Sequence, residues 1–320
     1  MKFLDNSYKP SLLFRSGHFN TIFPYFFRNT PEVSFTRERI DTPDGDFLDL
    51  DWLRSGQKRL AVLCHGLEGS SESKYIGHLA KHLSNNQLDV LALNYRSCSG
   101  EINKTAKIYH SGATDDIDHI LKLKASDYSE VYLIGFSLGA NMILKYVGEE
   151  KSRSIKNLEA VLAISAPCDL EGGSYVLKNK QNRLYTKIFL KSLKAKAKIK
   201  HEQFPELFDL ERILASKNVF EFDDRFTAPI HGFGNAINYY RTCSSIRFLK
   251  NIELPTLIIN AWDDSFLSES CYPFDEAGKN KHIDLRVTKY GGHVGFVQTG
   301  TDYYWHELEI LDFLKLNVQS

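Results

Sequence analysis

One stretch near the middle of the chain, residues 131–147, limits the fold more than any other. Its first four residues, VYLI, predict a buried strand, and its last eight, ANMILKYV, predict a helix. Between them stands GFSLG, at 135–139. A tight turn from strand to helix strains its central residue, and a glycine on either side leaves space that a side chain would fill. We therefore predict that Ser137 projects its hydroxyl above the end of a strand.

Strand and helix patterns alternate from residue 60 onward, and this predicts a parallel sheet with helices on both faces. An antiparallel hairpin around the turn signal TPDG precedes that alternation, and a final amphipathic helix is predicted at 303–316. The eight predicted strands are 33–40, 46–53, 60–64, 89–94, 131–134, 160–165, 254–261 and 283–290. Together with the Gly-x-Ser-x-Gly turn, this pattern predicts the α/β-hydrolase fold, with a mostly parallel eight-stranded sheet.

The alternation stops between residues 168 and 245. We interpret this range as a helical cap inserted within one domain that spans residues 1–320. Inside it, residues 178–200 hold nine Lys or Arg and no acidic residue, which predicts a basic amphipathic helix. Its expected apolar stripe is Leu184, Ile188, Phe189 and Leu193. The favoured interpretation is a solvated outer face of the cap, and the alternative is contact with anionic lipid or a phosphorylated substrate.

The segment 11–28, SLLFRSGHFNTIFPYFFR, contains six aromatic residues. We interpret it as an N-terminal arm that packs on the domain. The alternatives are a wall of an acyl pocket and a patch that faces a membrane.

Composition excludes several classes of protein. The 320 residues carry no formal net charge, so no electrostatic field favours nucleic acid. Five scattered cysteines without a CxxC pair indicate neither a disulfide framework nor a zinc site, and they fit a reducing, cytoplasmic compartment. No signal peptide and no apolar run of membrane-spanning length is found. We expect no cofactor.

A serine hydroxyl needs a base to become a nucleophile, and the base needs an acid to orient it. In α/β-hydrolases the order along the chain is Ser, then Asp or Glu, then His. Here Ser137 is followed by Asp263 and Asp264 and then by His293, and the aspartates and the histidine come just after predicted strands. We prefer Asp264, which lies three residues after Ala261, and Asp263 stays the alternative.

The turn after the third strand, HGLEGS, predicts one backbone donor of an oxyanion hole. On that pattern the N–H groups of Leu67 and Leu138 stabilise the oxyanion. His65 precedes the serine, which is the wrong chain order for the base, and we interpret it as a buttress of the turn. Nothing in the sequence around Cys98 favours a thiol nucleophile.

Seven motifs resemble a known family over nearly the whole chain. They are GHFNTIFPYFFR, HGLEGSSESKY, NYRSCSGE, IYHSGATDD, GFSLGAN, PTLIINAWDD and GGHVGF. The chain resembles the YheT-like hydrolases, a branch that includes eukaryotic abhydrolase-domain lipases. The resemblance implies a serine esterase or lipase-like enzyme with Ser137, Asp264 and His293 as its triad. Three departures stand outside the triad: the family often has Gly where Ser97 and Ala140 stand, and Pro where Ser265 stands.

We therefore expect a hydrolase of carboxylic esters with short to medium acyl groups, acting on a small-molecule ester or lipid. An amidase, peptidase or thioesterase with the same triad is the first alternative, because acyl-transfer chemistry is shared. A non-catalytic binding protein of the same fold is the second. Dehalogenase and epoxide hydrolase chemistry are disfavoured, since a serine stands where they need a carboxylate.

Overall fold

The computed structural model describes residues 5–316. Its strands form one sheet in the spatial order β1-β2-β4-β3-β5-β6-β7-β8. The strands are β1 (Thr36–Asp41), β2 (Phe47–Leu53), β3 (Arg59–Cys64), β4 (Asp89–Asn94), β5 (Glu130–Phe136), β6 (Leu158–Ile164), β7 (Thr256–Ala261) and β8 (Ile283–Thr288). β2 pairs antiparallel with β1 and β4, and the other neighbours are parallel. The predicted eight-stranded, mostly parallel sheet is confirmed.

Helices connect and cover the strands. The α-helices are α1 (Gly17–Phe27), α2 (Lys74–Asn85), α3 (Thr114–Lys124), α4 (Leu138–Val147), α5 (Leu170–Leu177), α6 (Arg183–Gln203), α7 (Leu210–Leu214), α8 (Val219–Phe222), α9 (Ala228–Ile230), α10 (Ala236–Cys243), α11 (Phe274–Lys279) and α12 (Trp305–Phe313). A π-helical turn, Asp223–Thr227, joins α8 to α9. Within residues 5–316 no helix is both long enough and apolar enough to cross a membrane.

The central strands are mostly apolar because both faces of the sheet are covered. All six residues of β4 are buried. On one face, Ile120 of α3 and Ile143 of α4 pack into the core. On the other face, Leu79 of α2 and Ile310 of α12 do the same. The predicted covering of both faces is therefore confirmed.

The segment between β6 and β7 forms a separate layer of helices, α5 to α10, inside the range 168–245 that was interpreted as a cap. It has a small apolar core of its own, to which Leu190 and Leu193 of α6 contribute together with Phe222 and Phe226. Ile108, which follows β4 in the chain, joins this core. The layer is thus fastened to the sheet domain, and its delimitation as a cap stays a prediction.

The apolar stripe predicted for the basic helix is partly wrong. Leu193 is buried, but Leu184 and Ile188 are 56% and 49% exposed. The buried stripe of α6 begins at Thr186 and continues through Leu190. Since each helical residue turns about 100°, Leu184 lies about 200° away from Thr186, on the outer side. The helix therefore presents both apolar and basic side chains to solvent.

Candidate active site

Ser137 occupies the turn between the last residue of β5 and the first residue of α4. Its backbone has φ 54° and ψ −117°, a conformation that L-residues rarely adopt. A Cβ atom at Gly135 would lie 2.6 Å from the Gly139 carbonyl oxygen, and one at Gly139 would collide with the Cys64 carbonyl oxygen. The two glycines are thus needed for a turn that holds the serine in a strained conformation.

Two loops at the same edge of the sheet bring a carboxylate and an imidazole to this serine. Asp264 follows the end of β7, and His293 follows β8. The Nε2 atom of His293 lies 2.7 Å from Ser137 Oγ, and its Nδ1 atom lies 2.7 Å from Asp264 Oδ2. The three side chains predicted from the sequence therefore form one continuous chain of hydrogen bonds.

Asp264 is held in a single orientation. It is 3% exposed, and its Oδ1 atom accepts a hydrogen bond of 2.9 Å from the Phe266 N–H. When its Oδ2 atom accepts Nδ1–H of His293, the Nε2 lone pair of that ring faces the Ser137 hydroxyl. This arrangement can draw a proton from the serine.

The neighbouring carboxylate, Asp263, does not reach His293. Its Oδ1 atom accepts the Gly292 N–H at 2.8 Å, so it ties the loop after β7 to the loop after β8. Burial, opposed by the hydrogen bond from Gly292 and assisted by the nearby Asp264, raises the pKa of Asp263 to about 6. Of the two adjacent aspartates, the structure brings only Asp264 to the imidazole.

Helix α1 supports the histidine loop from outside, a role that the sequence did not reveal. The His293 N–H donates to Thr21 Oγ1 at 2.8 Å. A Cβ atom at Gly292, whose φ is 59°, would collide with the Gly17 carbonyl oxygen, and one at Gly17 would collide with the Asp263 carbonyl oxygen. The segment interpreted as an arm thus packs on both loops of the site. No local pattern in the sequence signals this contact, because Thr21 and His293 lie far apart along the chain.

Phe266 is a second contact that sequence reasoning missed. Its ring stacks on the His293 ring, with centroids 4.2 Å apart and an angle of 28° between the planes. Phe266 comes from the same loop as Asp264, so this one loop supplies both a carboxylate and an apolar wall for the imidazole.

The two residues predicted for the oxyanion hole lie beside the serine. Leu67 and Leu138 both line the cavity that Ser137 and His293 open into. A Cβ atom at Gly66 would lie 3.2 Å from Ser137 Cβ, so the turn after β3 packs directly against the turn that holds Ser137. Leu138 is the first residue of α4, and N–H groups in a first helical turn have no acceptor within the helix.

His65 is buried behind this turn. Its Nδ1 atom lies 2.7 Å from the Gly66 carbonyl oxygen, and its Nε2 atom accepts the Tyr95 N–H at 3.3 Å. Burial lowers the pKa of His65 to about 3, so the ring stays neutral. These contacts fit the buttress that the chain order predicted.

A buried ion pair links the same turn to the helical layer above it. Lys196 Nζ of α6 lies 2.8 Å from Glu68 Oε1, and the two side chains are 12% and 6% exposed. Tyr109 also donates to Glu68 Oε1, at 2.6 Å, and the Ser192 hydroxyl donates to its other oxygen. Because Glu68 directly follows Leu67, the position of α6 and the position of the turn are coupled.

Cys98 lies next to this pair, with its Sγ atom 3.3 Å from Lys196 Nζ. Burial nevertheless raises the pKa of Cys98 to about 12, although Lys196 opposes the shift. A group that stays a thiol at neutral pH is a poor nucleophile, in agreement with the sequence argument.

Ser137 and His293 open into a cavity of about 110 Å³. Most of its wall is apolar, and half of its 22 lining residues come from the helical layer, Phe189 and Leu193 among them. A cavity of this character can hold the apolar part of a small molecule.

One of the departures from the resembled family has a visible consequence. Ser97 has a φ of 65°, in the left-handed region that glycine enters without strain. Its hydroxyl is hydrogen-bonded to Asn103 Oδ1, which holds the side chain in place. The departure therefore lies at a position whose backbone favours glycine, outside the chain of hydrogen bonds at Ser137.

The chain shares its fold and much of its sequence with known hydrolases. A family model described as the alpha/beta hydrolase fold matches residues 61–298. An esterase from Pyrococcus furiosus, Pf2001, superposes with a TM-score of 0.57 at 17% identity, over 88% of this chain and 92% of that one. The protein is therefore an α/β hydrolase by fold.

Relatives in sequence narrow this class. YheT of Escherichia coli strain K12, whose name calls it an esterase, is 35% identical over 96% of this chain and 92% of its own. Mouse phospholipase ABHD3 is 29% identical over 92% of this chain and 74% of its own. The monoacylglycerol lipase of Saccharomyces cerevisiae is 27% identical over 86% of this chain and 62% of its own. The chain belongs to the YheT-like family of α/β hydrolases.

Proposed function

We propose that this chain is a serine hydrolase that cleaves carboxylic esters through an acyl-enzyme. One observation carries the proposal: Ser137 Oγ, His293 and Asp264 are joined by two hydrogen bonds of 2.7 Å on a strained strand-to-helix turn. Such a turn exposes a hydroxyl, and such a chain of contacts makes it nucleophilic.

In the first half of the reaction, His293 Nε2 removes the Ser137 proton while Oγ attacks the carbonyl carbon of the ester. Negative charge develops on the carbonyl oxygen, and the N–H groups of Leu67 and Leu138 stabilise it. The C–O bond of the ester then breaks, and the imidazolium gives its proton to the departing alcohol. Asp264 holds the ring in one tautomer and stabilises its charged form.

In the second half, a water molecule takes the place of the alcohol. His293 removes a proton from the water, whose oxygen attacks the acyl carbon. The bond to Ser137 Oγ then breaks, the serine recovers its proton from the imidazolium, and the acid leaves.

We expect the substrate to be a small-molecule ester or a lipid with an acyl group of short to medium length. The largely apolar cavity supports this class, as do relatives named as an esterase, a phospholipase and a monoacylglycerol lipase. The five cysteines, all free, support a reducing, cytoplasmic environment.

Fluorophosphonate labelling and hydrolysis of p-nitrophenyl esters of increasing chain length test the proposal. The parent should be labelled and Ser137→Ala should not. Ser129→Ala is a matched control, because Ser129 is exposed at the opposite end of β5. Hydrolysis by Ser137→Ala at the parent's rate would exclude this mechanism. An unlabelled parent would favour a binding protein, and faster cleavage of matched amides or thioesters would favour those activities.

The outer face of α6 supports peripheral contact with an anionic lipid surface. Leu184, Ile188 and Ile199 are exposed there, among the exposed side chains of Arg183, Lys187, Lys191 and Lys198. His18 of α1 stacks on Tyr185 of α6, and α1 ends in the exposed aromatics Tyr25, Phe26 and Phe27. Apolar side chains flanked by cations are typical of helices that lie in the membrane interface.

Sedimentation with vesicles tests this contact. Ser137→Ala protein should bind vesicles that contain phosphatidylglycerol more strongly than vesicles of phosphatidylcholine alone. Leu184→Ser/Ile188→Ser should lower that binding several-fold, while Leu123→Ser, at a similarly exposed position on α3, should not. Equal binding by all variants would contradict the assignment of this face.

A further inference from the structure

One carboxyl group in the wall of the active-site cavity has no role in the proposed triad. Asp223, from the π-helical turn after α8, lines the same cavity as Ser137 and His293. The residue is 9% exposed. It therefore lies out of bulk water but beside the space that a substrate would occupy.

Asp223 has hydrogen-bond partners but no counter-ion. The Thr227 hydroxyl donates to Oδ1 and the Tyr240 hydroxyl donates to Oδ2, both at 2.7 Å. Within residues 5–316 no Lys or Arg forms an ion pair with it, and no Lys or Arg is among the residues that line the cavity. Each carboxylate oxygen can accept a further hydrogen bond, so the group can still bind a ligand.

A carboxylate with no counter-ion in the wall of a cavity lowers the stability of the folded state. A carboxylate taken out of water without a paired charge destabilises the protein, and burial accordingly raises the pKa of Asp223 to about 6. At neutral pH the group is still mainly ionised. The destabilisation is offset when a bound ligand supplies the missing positive charge.

The backbone at Asp223 also differs from ordinary helix. Residues Asp223–Thr227 form a π-helical turn, and such turns are rare and occur frequently at functional sites. The turn places the carboxylate and the hydroxyl that bonds to it on the cavity wall together.

The side chains around Asp223 suit a cation. Tyr239 and Tyr240 line the cavity there, and aromatic rings attract cations through their faces. His110 also lines the cavity, and desolvation lowers its pKa well below the usual value, so the ring is neutral and does not repel a cation.

We propose that Asp223, Thr227, Tyr239 and Tyr240 form a subsite for an ammonium group carried by the substrate, at a distance from the scissile ester. This inference rests on the proposed esterase function, since it assigns a chemical class to the substrate of that same site. The same subsite disfavours esters that carry a carboxylate or phosphate at this end, because like charges would meet in a desolvated space.

A binding experiment separates the subsite from the chemistry. Calorimetry on Ser137→Ala compares an alkyl trimethylammonium ion with its neutral carbon isostere, in which a carbon atom replaces the nitrogen. The cation should bind about 10–100-fold more tightly, as expected for an ion pair with a carboxylate together with cation–π contacts, out of bulk water. In Ser137→Ala/Asp223→Asn that preference should disappear. Ser137→Ala/Asp224→Asn is the control, because Asp224 is not among the cavity-lining residues and instead accepts the Ala236 N–H.

Kinetics on the active enzyme provide the second readout. Choline esters are compared with esters of the isosteric neutral alcohol, and p-nitrophenyl esters of trimethylammonio acids with their carbon isosteres, so that both halves of the ester are tested. Asp223→Asn should remove the preference in kcat/KM for the cationic member of one pair and leave the neutral member within about threefold. Asp223→Ser, a second neutral replacement, should remove the same preference, which covers the case in which Asp223→Asn folds poorly.

Equal binding of cation and isostere by Ser137→Ala would overturn the subsite, even if neutral esters are hydrolysed. Selective binding of the cation without hydrolysis of any ester would keep the subsite and overturn the proposed esterase function instead.

Discussion

The sheet edge and the helical layer above it share one cavity, but they are organised in different ways. At the sheet edge, Ser137, Asp264 and His293 each come shortly after a strand, so the sheet itself fixes their positions. The helical layer is positioned by contacts between distant parts of the chain, such as Lys196 with Glu68. On the proposed function, the sheet edge would supply the chemistry, while the layer would determine what enters and how firmly the turn after β3 is held.

The largest expected loss of activity tests whether the residues at the sheet edge carry out catalysis as one unit. Ser137→Ala and His293→Ala should each lower kcat by about 10⁶-fold, and the double variant by no more than either, because the two groups act as one unit. Single-turnover kinetics with a p-nitrophenyl ester measure the loss. Additive losses would show that the two side chains act independently and would contradict a single catalytic unit at the sheet edge.

The two adjacent aspartates sharpen the comparison within the sheet edge. Asp264→Asn should lower kcat by about 10⁴-fold, because the imidazole loses its orienting anion. Asp263→Asn changes only the contact to Gly292 and should cost less than about tenfold. The same kinetic assay compares them, and a larger loss for Asp263→Asn would contradict the assignment of Asp264.

The ion pair between the layer and the oxyanion turn should have an intermediate effect. Lys196→Met should lower kcat about 10–100-fold, because a small displacement of the Leu67 N–H weakens stabilisation of the oxyanion. Glu68→Gln, which keeps the size of the side chain and one acceptor oxygen for Tyr109 or Ser192, should lose less. If folded Lys196→Met keeps the parent's kcat, the helical layer does not control the turn.

The last effect is on stability rather than on turnover, and it belongs to the helical layer. The folded-state pKa of Asp223, about 6, lies above the value of about 4 in unfolded chains, so the folded state holds its proton more tightly. Its contribution to stability is present below about pH 4 and is lost as pH rises through about 6, by up to about 3 kcal/mol. Asp223→Asn should therefore gain stability relative to the parent between about pH 4 and pH 8. Urea unfolding at both pH values measures this, and a difference that does not change with pH would contradict it.

The arrangement of residues at the sheet edge could be predicted from the sequence more fully than the contacts of the helical layer. The ends of parallel strands meet at one edge of a sheet, so Ser137, Asp264 and His293 could be brought together from strand patterns and chain order alone. Thr21, Phe266 and the link between Glu68 and Lys196 could not be found this way. Their contacts join distant residues and leave no local pattern.

The rotation of α6 shows why the helical layer was harder to predict. Two sets of apolar residues have helical spacing, one through Leu184 and Ile188 and one through Leu190 and Leu193. The choice between them depends on anchors elsewhere: Asn182, just before the helix, donates to the Ser265 carbonyl oxygen at 2.5 Å, and Thr186 donates to that of Leu177 at 3.0 Å. Helical spacing alone cannot reveal such anchors.

The support that Thr21 gives to the histidine loop has a consequence for how the protein can be switched off. A single proteolytic cut between α1 and β1 would leave every strand, the strained serine and both aspartates in one piece. If the released arm departs, the imidazole loses a backbone anchor, and the product would be a folded protein with an impaired catalytic base. Loss of turnover in a nicked preparation would then precede any loss of folded structure.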